Sequence, residues 1–153
     1  MITTKSFRKG SVVFREGDTE NCMYEILEGK VGVYTDYGTK DERCLTTLAA
    51  GRMFGEMGVV EGKPRSATIV VLEAVTLRVV TEDDLAQYFA ERPQKILGLM
   101  QATSARLRGL SVQYVDACRT VRDYVDAEDK GGASPELLER MKKYAVDSKK
   151  KKR

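Results

Sequence analysis

Histidine is absent from this 153-residue chain. Imidazole is the usual proton shuttle near neutral pH and a usual zinc or iron ligand, so its absence removes His-based acid/base catalysis, Ser-His and Cys-His nucleophile pairs and most zinc and iron sites. Cysteine is scarce as well. Cys22, Cys44 and Cys118 are odd in number, far apart and in no CxxC pair, which argues against a disulfide framework or a structural zinc and for a reducing, cytoplasmic setting. No apolar run approaches the roughly 18 residues a membrane span needs, and there is no apolar segment of signal-peptide type, so insertion and secretion are both disfavoured. These absences point away from an enzyme and away from a metal or resident cofactor.

A surface of one charge is also missing. The formal net charge is +3, from 26 Lys plus Arg and 23 Asp plus Glu, yet the run Lys149 to Arg153 holds five of the cations. Without that run, 21 basic residues face 23 acidic ones, a net of −2. The basicity belongs to a tail, which reads as solvated, and a nucleic-acid partner is not implied by the body of the chain.

The length suits one domain, since domains take roughly 100–200 residues. Its first 80 residues are short β-like runs separated by turn residues at close spacing, the pattern of a sandwich or barrel rather than of βαβ units. The runs lie at Ser11 to Phe14, Met23 to Leu27, Lys30 to Tyr34, Arg43 to Leu48, Thr68 to Leu72 and Val75 to Val80. Breaks fall at Gly10, Gly17-Asp18, Gly29, Tyr37-Gly38, Gly51 and Glu73. From Thr81 the pattern turns helical, with Thr81 and Asp84 spaced as a capping box and Leu85, Tyr88 and Phe89 on one face.

Pro93 suits the first turn of a second helix. In that helix Ile96, Met100, Thr103, Leu107, Leu110, Tyr114, Ala117, Val121 and Tyr124 follow alternating four- and three-residue steps, a heptad seam of the coiled-coil kind. For the first half of the seam, packing on the β-domain of the same chain is an equal alternative. Beyond Leu110 the helix has run some 25 Å at about 1.5 Å per residue, where an intramolecular partner is harder to supply. A parallel homodimer through residues 96–124 is the expectation. Gly131-Gly132 then reads as a flexible break, followed by a short amphipathic helix opened by Ser134 and Pro135, with Leu137, Leu138, Met141, Tyr144 and Ala145 on one side. The chain thus divides into 1–92, 93–126 and 127–153.

One segment differs from generic β-domain: Gly51-Arg52-Met53-Phe54-Gly55-Glu56-Met57-Gly58, a spacer through Lys63-Pro64, then Arg65-Ser66-Ala67-Thr68-Ile69-Val70-Val71. Gly55 and Gly58 permit close backbone approach and a tight helical turn whose N–H groups favour an anion. Arg65 can hold two oxygens of a phosphate at once. Ser66 adds a hydroxyl and a backbone N–H, and Glu56, an acceptor-only carboxylate, suits a sugar hydroxyl. Together they describe a site for a compact phosphorylated sugar. For the Arg and Glu taken alone, an ion pair bracing a loop is the alternative.

This segment resembles the phosphate-binding cassette of the cyclic nucleotide-binding domain, the family found in the catabolite activator protein and its relatives, in regulatory subunits of cAMP-dependent protein kinase and in cyclic-nucleotide-gated channels. The family pattern is met at every position from Phe54 to Val71. A second signature, Val13 to Gly29, is met in part: Glu20 stands where a small residue is usual and Glu25 interrupts an apolar run, departures that touch the scaffold rather than the pocket. Over residues 5 to about 115 the resemblance implies a mainly β fold, an eight-stranded jelly roll followed by helices. It implies that Glu56 accepts from the ribose 2′-OH, that Arg65 pairs with the cyclic phosphate, and that Gly55, Ser66 and Ala67 complete the phosphate site.

The base would lie against Val33, Leu45 and Leu48. Arg106, Leu107, Leu110 and Ser111 would come near it from the long helix, although each also reads as dimer seam or solvated face. Ser66 leans toward cAMP over cGMP. No helix-turn-helix follows the long helix, so the expectation is a stand-alone, non-catalytic sensor of cyclic nucleotide acting through a protein partner. The alternative is a regulator touching nucleic acid through its lysine tail, which would bind weakly and with steep salt dependence.

Overall fold

The structure, a computed structural model, describes residues 2–148, with side chains described to residue 143. The 149–153 cationic run and the Tyr144 and Ala145 side chains lie outside the described residues. The chain divides into two compact units, Met1–Ile96 and Leu97–Arg153. Among the described residues no helix is long and apolar enough to cross a membrane.

In the first unit the strands are β1 (Thr3–Phe7), β2 (Val12–Phe14), β3 (Cys22–Thr35), β4 (Arg43–Ala49), β5 (Met53–Phe54) and β6 (Thr68–Thr81); α1 (Glu56–Glu61) lies between β5 and β6, and a 3₁₀ turn at Glu82–Asp84 leads into α2 (Leu85–Glu91). All pairings are antiparallel, in the order β1-β6-β3-β4, with β2 also on β6 and β5 also on β3. The long strands β3 and β6 form the spine. One end of β6 carries β1 and the other carries β2, while β3 carries β5 near its start and β4 along its second half.

The strands number six among the described residues, against the eight expected. Met23–Leu27 and Lys30–Tyr34 are one strand, as are Thr68–Leu72 and Val75–Val80. Where the sequence breaks them, at Gly29 and Glu73, the pairing slips register three times between Ile26 and Val31 without ending. Such slips bend a strand and raise its twist, so the bends do the work of turns. Gly29, at φ 85°, is required there: a Cβ would overlap the Ala74 carbonyl and lie 2.9 Å from the Val75 Cα. Two elements are not marked by the hydrophobic pattern. β1, Thr-Thr-Lys-Ser-Phe, has no apolar alternation to reveal it, and β5 is only two residues long.

Alternation along the spine builds two cores, because successive side chains point to opposite faces. Tyr24, Ile26, Val31, Val71, Val75, Leu77 and Val79 point one way and meet Phe14, Phe54 and Ile69. Met23 and Val80 point the other way, where Val59 of α1 and Tyr88 of α2 cover them. Glu25 shares this second face, which explains a carboxylate in an apolar run. It is buried, pairs with Arg78 opposite it on β6, accepts from Tyr88 Oη at 2.9 Å and meets Lys95 Nζ at 2.7 Å.

In the second unit, α3 (Pro93–Glu128, its first residues belonging to the first unit) and α4 (Pro135–Ser148) form an antiparallel pair. Gly131 and Gly132, at φ 110° and 122°, make a defined turn: the Gly132 N–H returns to Ala127 O at 3.0 Å, and Ser134 Oγ accepts from the Leu137 N–H at 3.3 Å. Arg140 Nη2 donates to the fully buried Thr120 hydroxyl at 3.0 Å and Arg140 pairs with Asp123 at 3.4 Å; one turn on, Lys143 reaches Asp116 at 3.9 Å. The distal half of α3 therefore has an intramolecular partner, which its distance along the helix had argued against. The first part of the seam stays open, with Met100, Leu107, Leu110 and Tyr114 56–71% exposed, whereas Ala117 and Tyr124 lie on the same side as Thr120 and are partly buried.

The Glu25 cluster generates a pH prediction. Burial pushes the Glu25 carboxyl up, but hydrogen bonds from Lys95 and Tyr88 and the charges of Lys95 and Arg78 outweigh it, leaving it below its ordinary 4.5. Its stabilisation is present above pH 4.5 and is lost as pH falls below that value. Burial, then donation to Glu25, pushes the Tyr88 phenol from 10.0 up to about 12, so that contribution is present below pH 10 and lost between 10 and 12. Glu25→Gln is expected to lower stability at neutral pH by about 1–3 kcal/mol and to flatten the decline below pH 4.5. Urea denaturation across pH checks it; an unchanged acid limb contradicts the assignment.

Candidate phosphate and ribose site

Residues Gly55 to Thr68 form a short helix, a return loop and the start of β6. Gly55, at φ 78° and ψ 4°, caps α1 from the left-handed region, and Glu56 is the first residue of the helix and is buried. A side chain in that conformation costs roughly 1–2 kcal/mol. After Gly62, also left-handed, the chain returns through Lys63 and Pro64 to Arg65.

Arg65 is the centre of the site. Its backbone is pinned to the turn after β2, with the Arg65 N–H donating to Asp18 O at 2.8 Å and Arg65 O accepting from the Gly17 N–H at 2.9 Å. Its side chain turns inward and is 1% exposed. Nη1 donates to Gly55 O and Nη2 to Cys22 O, both at 2.6 Å. The guanidinium carbon lies 4.2 Å from the centroid of Phe14, within range of a cation–π contact. Phe14 belongs to an aromatic group with Tyr24 and Phe54, the last two stacked at 5.2 Å.

The two glycines make room for this arginine. A Cβ on Gly55 would come within 2.8 Å of Nη1, and one on Gly58 within 3.1 Å of the same atom. Their close backbone approach is thus to the arginine side chain. The Arg65 Nε–H is buried and has no hydrogen-bond partner, the one such side-chain atom among the described residues. A buried donor without an acceptor costs about 1–3 kcal/mol, more on a charged group. It fits an anion arriving at Arg65.

Other expected residues are placed as follows. Ala67 is buried beside Arg65, Ser66 is exposed, and Thr68 is buried with its hydroxyl accepting from the Glu16 N–H at 3.0 Å. Val33 and Leu48 are partly buried against the main core. Leu45 is 58% exposed, since the β3–β4 register slips between Val33 and Tyr34 and leaves Leu45 in the bulge with no opposite residue. Arg106, Leu107, Leu110 and Ser111 lie on α3; Leu107 and Leu110 are exposed, and Ser111 Oγ donates to Leu107 O at 3.0 Å.

Sequence reasoning missed Phe14 and Cys22 as partners of Arg65 and misjudged Glu20. Far from touching only the scaffold, Glu20 Oε2 lies 3.4 Å from Arg65 Nη2 and accepts from Tyr24 Oη at 3.1 Å. Burial, with smaller contributions from Cys22 and Glu20, pushes the Tyr24 phenol well above its usual value and keeps it a donor. The departure at position 20 was itself the available signal. Among the described residues no group of three or more His, Cys, Asp or Glu could hold a metal.

A buried arginine thus sits in a glycine cradle beside a short helix whose first residue is a carboxylate. Residues 4–92 match the cyclic nucleotide-binding domain, and the chain belongs to that family. A CRP-like cAMP-activated global transcriptional regulator of Mycobacterium tuberculosis is 25% identical over 140 residues, covering 92% of this chain and 59% of that protein. A cyclic nucleotide-gated potassium channel of Rhizobium etli is 33% identical over 101 residues, covering 65% of this chain and 26% of the channel. The crystal structure of the Thermus thermophilus catabolite activator protein matches with a TM-score of 0.66 at 22% identity, covering 92% of this chain and 71% of that one. That likeness establishes the fold: the antiparallel sheet with its helices is the jelly roll of this family. The chain spans less than two thirds of either curated relative.

The cradle generates its own prediction. Gly55→Ala is expected to lose at least about 1–2 kcal/mol from the left-handed backbone alone, with further loss from the contact on Arg65. Gly58→Ala lies in a helix, where alanine ordinarily gains about 0.8–1.0 kcal/mol, and is expected to fall short of that gain because Nη1 and Lys63 O, at 3.1 and 3.2 Å, crowd the new methyl. Denaturant melts measure both. A full helical gain at Gly58 would show that the cradle is loose.

Proposed function

We propose that this chain binds a cyclic nucleotide, cAMP in preference to cGMP, and acts as a non-catalytic regulatory domain that reports the ligand to a protein partner. Arg65 receives the cyclic phosphate, its Nε–H gaining the missing acceptor, while Gly55, Ser66 and Ala67 line the same anion through backbone N–H groups and the Ser66 hydroxyl. Glu56 accepts from the ribose 2′-OH. The base lies against Val33 and Leu48, with Leu45 at the rim. The observation that carries this reading is the buried Arg65 guanidinium with its unsatisfied Nε–H, held in a cassette that matches the family. Ser66 supports cAMP over cGMP.

The chain pairs with a second copy through the α3 seam, whose Met100, Leu107, Leu110 and Tyr114 are exposed. Ligand can shift such a pair between arrangements only as far as its affinities for them differ.

Two experiments test these statements. In a thermal-shift panel, cAMP at 100 times its dissociation constant is expected to stabilise the fold by about 2.7 kcal/mol, with a smaller effect from the 2′-deoxy analogue and from cGMP. Arg65→Lys keeps the charge but not the fork, and is expected to weaken cAMP binding tenfold or more, the loss of about 1.5–3 kcal/mol in charge-assisted hydrogen bonds. No shift with any cyclic nucleotide overturns the reading. For the seam, sedimentation equilibrium is expected to give twice the 17.1 kDa chain mass, falling to one chain in Leu107→Glu/Leu110→Glu; a dimer that survives the double variant places the interface elsewhere.

A further inference from the structure

The anion that Arg65 meets within its own chain is the carboxylate of Glu20. Oε2 stands 3.4 Å from Nη2, and the Tyr24 hydroxyl, 3.1 Å from the same oxygen, holds it in place. The two ends of this pair are unlike. The Arg65 side chain is 1% exposed and fastened by two carbonyl oxygens and an aromatic face, whereas the Glu20 side chain is 43% exposed, in the loop between β2 and β3. The arginine is the more firmly held of the two, and the glutamate is the more open to solvent. Gly55 O and Cys22 O carry only partial negative charge and repel an incoming phosphate weakly, whereas Glu20 is a full negative charge at the guanidinium a phosphate would need.

We infer that Glu20 is a built-in competitor for the anion site: its carboxylate shields Arg65, and a cyclic nucleotide binds only by displacing it or by tolerating its charge. This rests on the nucleotide reading of the Arg65 site and adds to it a device that sets the ligand threshold. Glu20 also lies two residues before Cys22, whose carbonyl is one of the arginine's anchors.

The size of the effect follows from the exposure of the pair. Partly solvated ion pairs contribute up to about 1 kcal/mol, which converts to up to about fivefold in a dissociation constant. Repulsion between Glu20 and the phosphate acts in the same direction and is screened by salt, with a Debye length of about 10 Å at 0.1 M.

Isothermal titration with cAMP on the wild type, Glu20→Gln and Glu20→Ala, at low and high salt, tests the inference, with thermal melts confirming that each variant is folded. Both variants are expected to bind about two- to fivefold more tightly than the wild type at low salt, with the advantage shrinking as salt rises. Binding seen only in the variants supports the competitor role equally. If the wild type binds and both variants bind equally or more weakly, Glu20 orients the arginine and the competitor role is overturned while the nucleotide site stands. If neither the wild type nor either variant binds any cyclic nucleotide, the site reading falls and the inference with it.

Discussion

The fold around the site is organised by one buried charge. Taking a guanidinium out of water costs several kcal/mol even after the protein relaxes, unless its N–H groups find acceptors in good geometry. Arg65 meets that demand with parts drawn from the whole β-domain: Gly55 O from the start of α1, Cys22 O from the start of β3, the Phe14 ring from β2, and the Glu20 carboxylate from the loop between β2 and β3. Its backbone is tied to Gly17 and Asp18. Each partner comes from a different part of the chain, so the arginine staples the loops at one end of the jelly roll around itself. The Gly55 and Gly58 cradle exists because the arginine occupies the space a Cβ would take.

A second charged cluster sits on the opposite face of the same strands. Glu25 joins β3 to Arg78 of β6, Tyr88 of α2 and Lys95 near the start of α3, and Lys95 also donates to Gly51 O at 3.3 Å. Gly51 opens the segment that runs through β5 to Gly55. The segment that leads into Gly55 and the first turn of α3 therefore share one lysine.

The cassette was legible in the sequence because its information is local: Gly55, Glu56, Gly58, Arg65 and Ala67 fall within thirteen residues, and their spacing encodes a helix, a return and a strand. What closes on Arg65 was not legible. Cys22 and Glu20 are 43 and 45 residues away in sequence, and only the pairing of β3 with β6 brings them near. Glu20 and Glu25 were both visible as departures from pattern, yet their roles depend on which face of β3 is covered by α2 and which loop lies over the arginine. The strand count failed for a related reason. Gly29 and Glu73 look like turn residues, but as bulges facing each other across the spine they bend two long strands without interrupting them. The Gly131-Gly132 break is likewise a turn, because ion pairs between α3 and α4, distant in sequence, hold it closed.

The central claim is that the Arg65 Nε–H acquires a phosphate acceptor when a cyclic nucleotide binds, and nitrogen-15 NMR of the arginine side chains reads that group directly. Arg65→Lys, which lacks the group, identifies its resonance by the loss of that signal. Addition of cAMP to the wild type is expected to move the Arg65 Nε–H proton downfield and slow its exchange with water. Saturable binding of cAMP that leaves the Arg65 Nε–H resonance where it was would contradict the account.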